Sequence, residues 1–296
     1  MAQRDSSNLS LSIIIVNWNG GESLQACLRS VLAAARLPAE VWLVDNASSD
    51  GSAQRAAAAF PSLKLIQNSR NVGFARAVNQ ALEGSAGEFL LLLNPDVQIG
   101  QEALSGLLTV MHQDGRIGIA GCASVDAGAR CVPGYESSFP GRRGDVVHQT
   151  EGRGQDVAWV SGACLLARRQ MVESIGRLDA GFFMYYEDVD WCRRARVGGW
   201  RVVTLPGVLV KHELGGSSAH VPRAESARRA VISRLRFYEK HYSRSRARRL
   251  ALGMAASALR GILLRLLPAV VSKQARAAVS SECARLRAVL GPRAPV

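Results

Sequence analysis

The sequence has no pair of cysteines two residues apart, and its six cysteines (Cys27, Cys122, Cys131, Cys164, Cys192 and Cys283) are scattered along the chain. That argues against a zinc ribbon, a dithiol redox motif and a disulfide scaffold; reduced, buried thiols of a cytosolic protein are the expectation. There is no P-loop, and the first turn after the first apolar run reads NWNGGES rather than GxGxxG. The polar N-terminus is followed by an apolar stretch, Ser12–Val16, too short for the apolar region of a signal peptide. Internal repeats and low-complexity linkers are also missing.

What is present supports a folded chain of one large domain, or one domain with an appendage: 296 residues, 48% of them hydrophobic. The net charge of +13 is uneven. From Arg223 onward there are 17 Lys+Arg against 3 Asp+Glu, a net of +14, while the first 222 residues hold 20 against 21, a net of −1. A near-neutral body over residues 1–222 thus carries a cationic extension over residues 223–296, suited to an anionic partner such as lipid headgroups or nucleic acid.

The first hundred residues alternate strand and helix. LSIIIVNW (Leu11–Trp18) is apolar and β-branched, VWLVD (Val41–Asp45) and LKLIQN (Leu63–Asn68) are shorter strands, and EFLLLLN (Glu88–Asn94) is a fully apolar, central one. Helices are expected over Glu22–Ala35, from the NASSDGS turn to Phe60, and over Asn71–Leu82 after its glycine. Repeated strand–helix units predict an α/β fold with a mostly parallel sheet and helices on both faces. Ligands in such sheets bind at the carboxyl ends of the strands, where Asp45, Asn68 and Asn94–Asp96 fall. Further on, Gly100–Asp114 reads as a helix and Ile117–Ala123 as a strand. Asp126–Asp156 reads as loops or a lid, Val157–Arg169 as a strand turning into a helix, and Asp188–Val197 as a short helix. RVVTLP and VLVKHE read as two strands, and the chain is helical from Pro222 to its end.

Four places could carry chemistry. Asp45–Gly51, DNASSDG, suits a nucleoside approached by short side chains, but taken alone it reads as an Asx turn with Asp50 capping a helix. Asn94-Pro95-Asp96 ends the most apolar strand: either a strand-end turn or a carboxylate for Mg²⁺ or Mn²⁺ bridging a diphosphate. Glu187, Asp188 and Asp190 follow the aromatic run FFMYY. Acids at a helix N-terminus are favoured by its dipole, yet aromatic walls raise a carboxylate's pKa and suit a general base. His212, in VLVKHELGGSS, is either a structural histidine or, beside Gly215, Gly216 and Ser217, a ligand for metal or phosphate. His112, His148, His220 and His241 read as structural.

IIIVNWNG, VDNASSDGS, NVGFARAVNQAL, LLLNPDV, VSGACLLARR, FFMYYEDVDWCRRARVGGW and VLVKHELGGSS follow one another in the order and spacing of a family 2 inverting glycosyltransferase. Over Leu11–Ser218 the chain resembles that family, which has the GT-A fold, and within it the bacterial rhamnosyltransferases. The resemblance implies a pocket for base and ribose at Val16, Asn17, Asn19 and Asp45. It implies a segment covering the nucleotide at Asn71, Gly73 and Phe74, with Asn79 supporting it. Asn94–Asp96 is similar to the family's DxD motif with its first acid replaced by Asn94, which leaves Asp96 as the carboxylate ligand of a Mg²⁺ or Mn²⁺ ion that His212 completes. Asp188 matches the catalytic base with Glu187 beside it, and Trp159, Ser161, Gly162 and Trp191 match the acceptor side. The implied activity is transfer of a sugar, rhamnose from dTDP-rhamnose, to a saccharide or lipid-linked acceptor in cell-envelope polysaccharide synthesis.

In the cationic extension, Leu252, Ala255, Leu259, Ile262 and Leu266 share one face at helical spacing, and Arg249, Ser257, Arg260 and Arg265 stay polar. Arginines at the bilayer centre cost about 3 kcal/mol each on insertion scales, so a spanning helix is disfavoured. Two readings stand side by side: a helix in the interface of an anionic membrane, or a face that packs on the body or a second copy. The first places the enzyme in the cytoplasm, at the inner face of the cytoplasmic membrane. The rival functions are a nucleotide-dependent oxidoreductase, suggested by the acid ending the second strand, and a basic scaffold on membrane or nucleic acid. The latter lacks the aromatic interleaving of a nucleic-acid binder, so no nucleic acid is expected.

Overall fold

The computed structural model describes residues 10–35, 39–126, 128–141, 154–213, 221–271 and 273–291. Expectations for His148, His220 and the Gly215–Ser217 turn, and for most of the loop after Gly141, lie outside these residues.

In chain order the elements are β1 (Leu11–Asn17), α1 (Gly21–Ala34), β2 (Ala39–Asp45), α2 (Ser52–Ala59), β3 (Lys64–Gln67), α3 (Phe74–Gly84) and β4 (Phe89–Leu93). Then come β5 (Val97–Gln98), α4 (Gln101–Gln113), β6 (Ile117–Val125), β7 (Cys131–Val132), β8 (Tyr135–Glu136), β9 (Gln155–Asp156), β10 (Trp159–Val160), β11 (Cys164–Arg168) and α5 (Arg169–Ile175). The last are α6 (Glu187–Val197), β12 (Arg201–His212), α7 (Arg223–His241), α8 (Arg244–Val271) and α9 (Lys273–Leu290).

The main sheet runs β3-β2-β1-β4-β11-β6-β12-β5, with β7 on β6 and β9 on β12. β1, β2, β3 and β4 are mutually parallel, so their carboxyl ends share one edge. β1 is buried along its whole length and β4 likewise, as expected of central strands covered on both faces. Leu11, Ile13 and Ile15 of β1 join one apolar cluster with Phe89, Leu91 and Leu93 of β4 and with the inner faces of α1, α2 and α4. The buried side of α3 packs against β1 and β2 without entering that cluster, so it covers the opposite face. The two-residue alternation of the strands thus sends successive side chains to two different helical layers.

The sheet is mixed beyond β4. β11 runs antiparallel between β4 and β6, while β12 returns parallel to β6. RVVTLP and VLVKHE, expected as two strands, form one strand, β12, with a register shift between Leu205 and Leu209. Pro206 falls in that shift, where its missing N–H spoils the ladder and a bulge absorbs the fault. Arg201, at the start of β12, donates to both carboxylate oxygens of buried Asp156 at 3.1 and 2.7 Å and to Asp114 at 2.8 Å, which pins the strand to its neighbours.

The chain divides into two compact units. The first holds the residues up to Ala180 and the stretch that begins at Asp188; the second holds Gly181–Glu187 and the C-terminal helices. In the second unit α8 lies against α9 and α7. Its buried strip is made of small residues, Ala247, Ala255, Ala258 and Gly261, which allow close helix contact. This corrects the expected face. Leu252 and Leu259 do not share burial with Ala255; with Leu263 they are 67%, 47% and 69% exposed. Among the described residues no helix is long and apolar enough to cross a membrane.

Candidate active site

The loops after β1 and β2 are knitted together by short polar side chains. Asn17, fully buried at the end of β1, donates from its amide to Asp45 at 2.9 Å and lies 3.0 Å from the Ser48 and 2.9 Å from the Ser52 hydroxyls. Its own oxygen accepts the Gly20 N–H at 3.1 Å. Asp45 also accepts the N–H and the hydroxyl of Ser48, three residues on, which folds the loop back over the carboxylate. Asn19 takes a left-handed φ of 53°, which asparagine tolerates, and accepts the Ser49 N–H at 2.8 Å. Asp50 accepts from Gly21 and from Ser52, which closes an Asx turn, but Gly51 stands at the cap position of α2 and no side chain caps it, so the expected Asp50 cap is corrected. Val16 is buried one residue before this network.

A second set of contacts joins β2 to α3. Asn46 reaches the carbonyl of Gly73 at 3.4 Å and accepts from Asn68 at 2.9 Å; Asn68 and Gln80 exchange a pair of amide hydrogen bonds. Asn71 accepts the N–H of Gly73 at 2.9 Å. Gly73 has φ 88° and ψ 164°, a region open essentially to glycine alone, and it turns the chain into α3 with Phe74 buried at the first position. Asn79 trades hydrogen bonds with both backbone groups of Leu178, at 2.8 and 3.2 Å.

The Asn94–Asp96 segment leaves β4 beside these loops. The Asn94 N–H donates to Ala163 at 2.9 Å, and a Cβ on Gly20 would lie 3.4 Å from that of Pro95. Asp96 is buried, and its Oδ1 lies 3.3 Å from Nε2 of His212. The pairing of β12 with β5, His212 opposite Val97, brings them together, and the Glu213 N–H donates to the Asp96 carbonyl.

Asp188 completes the circuit. Its two oxygens accept the N–H groups of Gly162 at 2.9 Å and Val189 at 2.8 Å. A Cβ on Gly162 would meet the Asp188 side chain at 3.5 Å and the Phe74 ring at 3.7 Å. The contacts therefore run as a ring: Asp45, Asn46, Gly73, Phe74, Gly162 and Asp188 on one side, and Ala163, Asn94, Pro95, Gly20 and Asn17 on the other. Burial pushes the Asp188 carboxyl above its ordinary value, and the backbone N–H donors offset part of the rise. A carboxylate of raised basicity at the open end of a sheet is equipped to take a proton.

Around this ring, Ser161 donates its N–H to Gly134 and Trp159 pairs with Glu136 in a two-stranded ribbon of β10 and β8. The Trp159 indole N–H is buried with no partner among the described residues. Trp191, expected on the acceptor side, is instead a core residue: it is fully buried and its indole donates to the Gly176 carbonyl at 3.0 Å. On α6 it lies three residues beyond Asp188, close to one helical turn, but packs inward. Glu187 is buried and belongs with the second unit. Sequence reasoning missed Asn46, Ser48 and Gln80 as braces; their signal is the density of short polar side chains at strand ends.

Asp96 and His212 suit a hard cation. Adjacent ligands of an octahedral ion with bonds of about 2.1 Å sit about 3 Å apart, close to the observed separation, and such ions take few protein ligands with phosphate oxygens completing the shell. Among the described residues no group of three or more such side chains gathers.

Residues 12–176 match glycosyl transferase family 2. The chain is 30% identical over 246 residues to the N-acetylglucosaminyl-diphospho-decaprenol L-rhamnosyltransferase of Mycobacterium tuberculosis, covering 73% of this chain and 80% of that one. It is 27% identical over 164 residues to the dTDP-rhamnosyl transferase RfbF of Shigella flexneri, 53% and 54% of the two chains. Among solved structures, the mannosyltransferase PcManGT of Pyrobaculum calidifontis, in complex with GDP-Man and Mn²⁺, superposes with a TM-score of 0.60 over 97% of this chain and 88% of that one at 17% identity. The last likeness concerns the fold, which is GT-A.

Proposed function

This chain belongs to glycosyl transferase family 2, and on that premise we propose that it is an inverting, cation-dependent rhamnosyltransferase that uses dTDP-rhamnose and a lipid-linked saccharide acceptor in cell-envelope polysaccharide synthesis. Kinship with a rhamnosyltransferase acting on a diphospho-decaprenol substrate supports donor and acceptor class. The oxidoreductase and scaffold alternatives give way to the family match.

The observation that carries the mechanism is Asp188, a half-buried carboxylate of raised pKa aimed by the Gly162 and Val189 N–H groups. In this reading Asp188 takes the proton of an acceptor hydroxyl. The acceptor oxygen attacks the anomeric carbon from the side opposite the diphosphate; the new bond forms as the bond to the diphosphate oxygen breaks, and configuration inverts. Asp45, Asn17 and Asn19 shape the nucleoside pocket, and Phe74 and Gly73 cover it. Asp96 and His212 would hold a divalent cation, which would supply electrostatic stabilisation of the departing diphosphate. The test is Asp188→Asn: transfer is lost while dTDP-rhamnose binding, read by calorimetry, is retained. Full transfer by this variant rejects the assignment.

The reading extends to location. Leu252, Leu259 and Leu263 line one exposed side of α8, and Arg248, Arg249 and Arg260 are exposed beside them. Apolar side chains flanked by arginine complement an anionic bilayer surface, where a lipid-linked acceptor is held. The enzyme would then work as a peripheral protein at the inner face of the cytoplasmic membrane.

A further inference from the structure

One face of α1 runs along the segment that carries Asp96. Ser23, Cys27 and Ser30 stand at i, i+4 and i+7, the spacing of a single helical face. Ser30 accepts the N–H of Ile99, just past β5, at 3.1 Å. The Cys27 thiol lies 3.5 Å from the carbonyl of Asn94, just past β4. Ser23, in the first turn of the helix, donates its hydroxyl to a carboxylate oxygen of Glu213 at 2.9 Å. The first two contacts bracket Asp96 along the chain. The third falls on the residue that follows His212.

Glu213 is held from two directions. Its N–H donates to the Asp96 carbonyl at 2.9 Å, and its side chain reaches across to α1. The ladder that brings His212 to this edge has only two positions, Lys211 opposite Gln98 and His212 opposite Val97, which is little to fix the end of a strand. The second Glu213 carboxylate oxygen stands 3.8 Å from Nζ of Lys211, but both side chains are open to solvent, where such a pair contributes little. The Ser23 hydroxyl meets a charged acceptor at short range, and a hydrogen bond of that kind is stronger than a neutral one. It is therefore the side-chain contact of Glu213 that can set where β12 ends.

We propose that Glu213 is a positioning residue of the cation site: its hydrogen bond to Ser23 ties the end of β12 to α1 and so holds His212 against Asp96. The proposal rests on Asp96 and His212 being the residues that hold the cation. Glu213 does not bind the ion; it acts through His212, so what matters is that it accepts from Ser23 and not that it is charged. Partners that orient a metal ligand in this way affect metal affinity almost as strongly as the ligand does.

The experiment measures Mn²⁺ binding by electron paramagnetic resonance, with dTDP present and no acceptor. It compares full-length Glu213→Ala, Glu213→Gln, Ser23→Ala and the Ser23→Ala/Glu213→Ala double variant with the parent and with His212→Ala. Circular dichroism checks that each variant is folded. Glu213→Ala and Ser23→Ala should each raise the Mn²⁺ Kd by about tenfold. The double variant should bind no more weakly than Glu213→Ala, because both changes remove the same bond. Glu213→Gln keeps an acceptor for the Ser23 hydroxyl and should stay within about threefold of the parent. The proposal is overturned if folded Glu213→Ala and Ser23→Ala keep the parental Kd, if Glu213→Gln binds as weakly as Glu213→Ala, or if the two single losses multiply in the double variant. The second result would make the charge of Glu213 the cause, and the third would mean that the two residues act separately. If Glu213→Ala does not fold, Ser23→Ala and Glu213→Gln decide by the same criteria. Parental Mn²⁺ binding in His212→Ala would instead remove the cation site itself, an outcome separate from these.

Discussion

Nε2 of His212 stands 3.3 Å from Oδ1 of Asp96, although one side chain ends the last strand of the sheet and the other follows β4. The β12–β5 ladder, with the Glu213 N–H on the Asp96 carbonyl, brings this pair together, so the proposed cation site depends on an edge of only two paired positions. We expect His212→Ala to raise the Mn²⁺ concentration needed for half-maximal activity by about 10–100-fold. The same weakening should appear in Mn²⁺ titrations with dTDP and no acceptor, followed by electron paramagnetic resonance. Unchanged Mn²⁺ binding would remove His212 from the site.

Asp188 couples activity to stability. Its folded-state pKa is raised by burial, so the ionised form costs stability. That cost is absent below the unfolded carboxyl pKa and grows as pH rises through the folded value. The base works only when ionised, so kcat/KM should fall as pH drops through the same raised value. Asp188→Asn should therefore be inactive yet more heat-stable than the parent at pH 7, by about 2–4 °C for each kcal/mol relieved, with the difference vanishing near pH 3. Equal melting temperatures at both pH values would contradict the burial account.

Arg201 binds Asp156 and Asp114 in the interior of the sheet. Arg116 and Arg201 together hold the Asp114 carboxyl well below its ordinary value. Removing the guanidinium strands buried charge, so Arg201→Met is expected to cost about 3–5 kcal/mol in urea unfolding. For the parent, the stability due to Asp114 is present above the unfolded carboxyl pKa and is lost as pH falls through the lowered folded value. A loss under about 1 kcal/mol would show that the trio is replaceable by packing.

The exposed leucines of α8 give a test of location. The parent should co-sediment with phosphatidylglycerol vesicles at low salt, less at high salt, and not with phosphatidylcholine vesicles. Replacing Leu252, Leu259 and Leu263 with Gln should weaken this by about tenfold or more, because each leucine loses apolar burial in the interface. If vesicle binding survives and a dimer in solution falls apart instead, the stripe belongs to a protein interface.

Much of the catalytic unit was legible from local pattern. A run such as Ser12–Val16 can only be a buried strand, and parallel strands put Asn17, Asp45 and Asn94 on one edge whatever their order. Short polar side chains clustered at those ends marked the candidate site because backbone turns and ligands ask for the same residues. Trp191 was misread since a single helical turn carries no label for which side faces the core; the indole's bond to Gly176 depends on a loop placed by other elements.

The remainder required tertiary structure. Sheet order, which follows from how all strands share one core, set His212 beside Asp96. The α8 face was misjudged because hydrophobicity favoured the leucines, whereas close helix packing buried the alanines and Gly261. Nor could local pattern reveal that Gly181–Glu187 folds with α7, a grouping made by contacts between residues far apart in the chain. The sequence by itself determined which strands form and which residues end them; the packing of helices and the order of strands decided which of those residues meet, since both depend on the whole core rather than on neighbours along the chain.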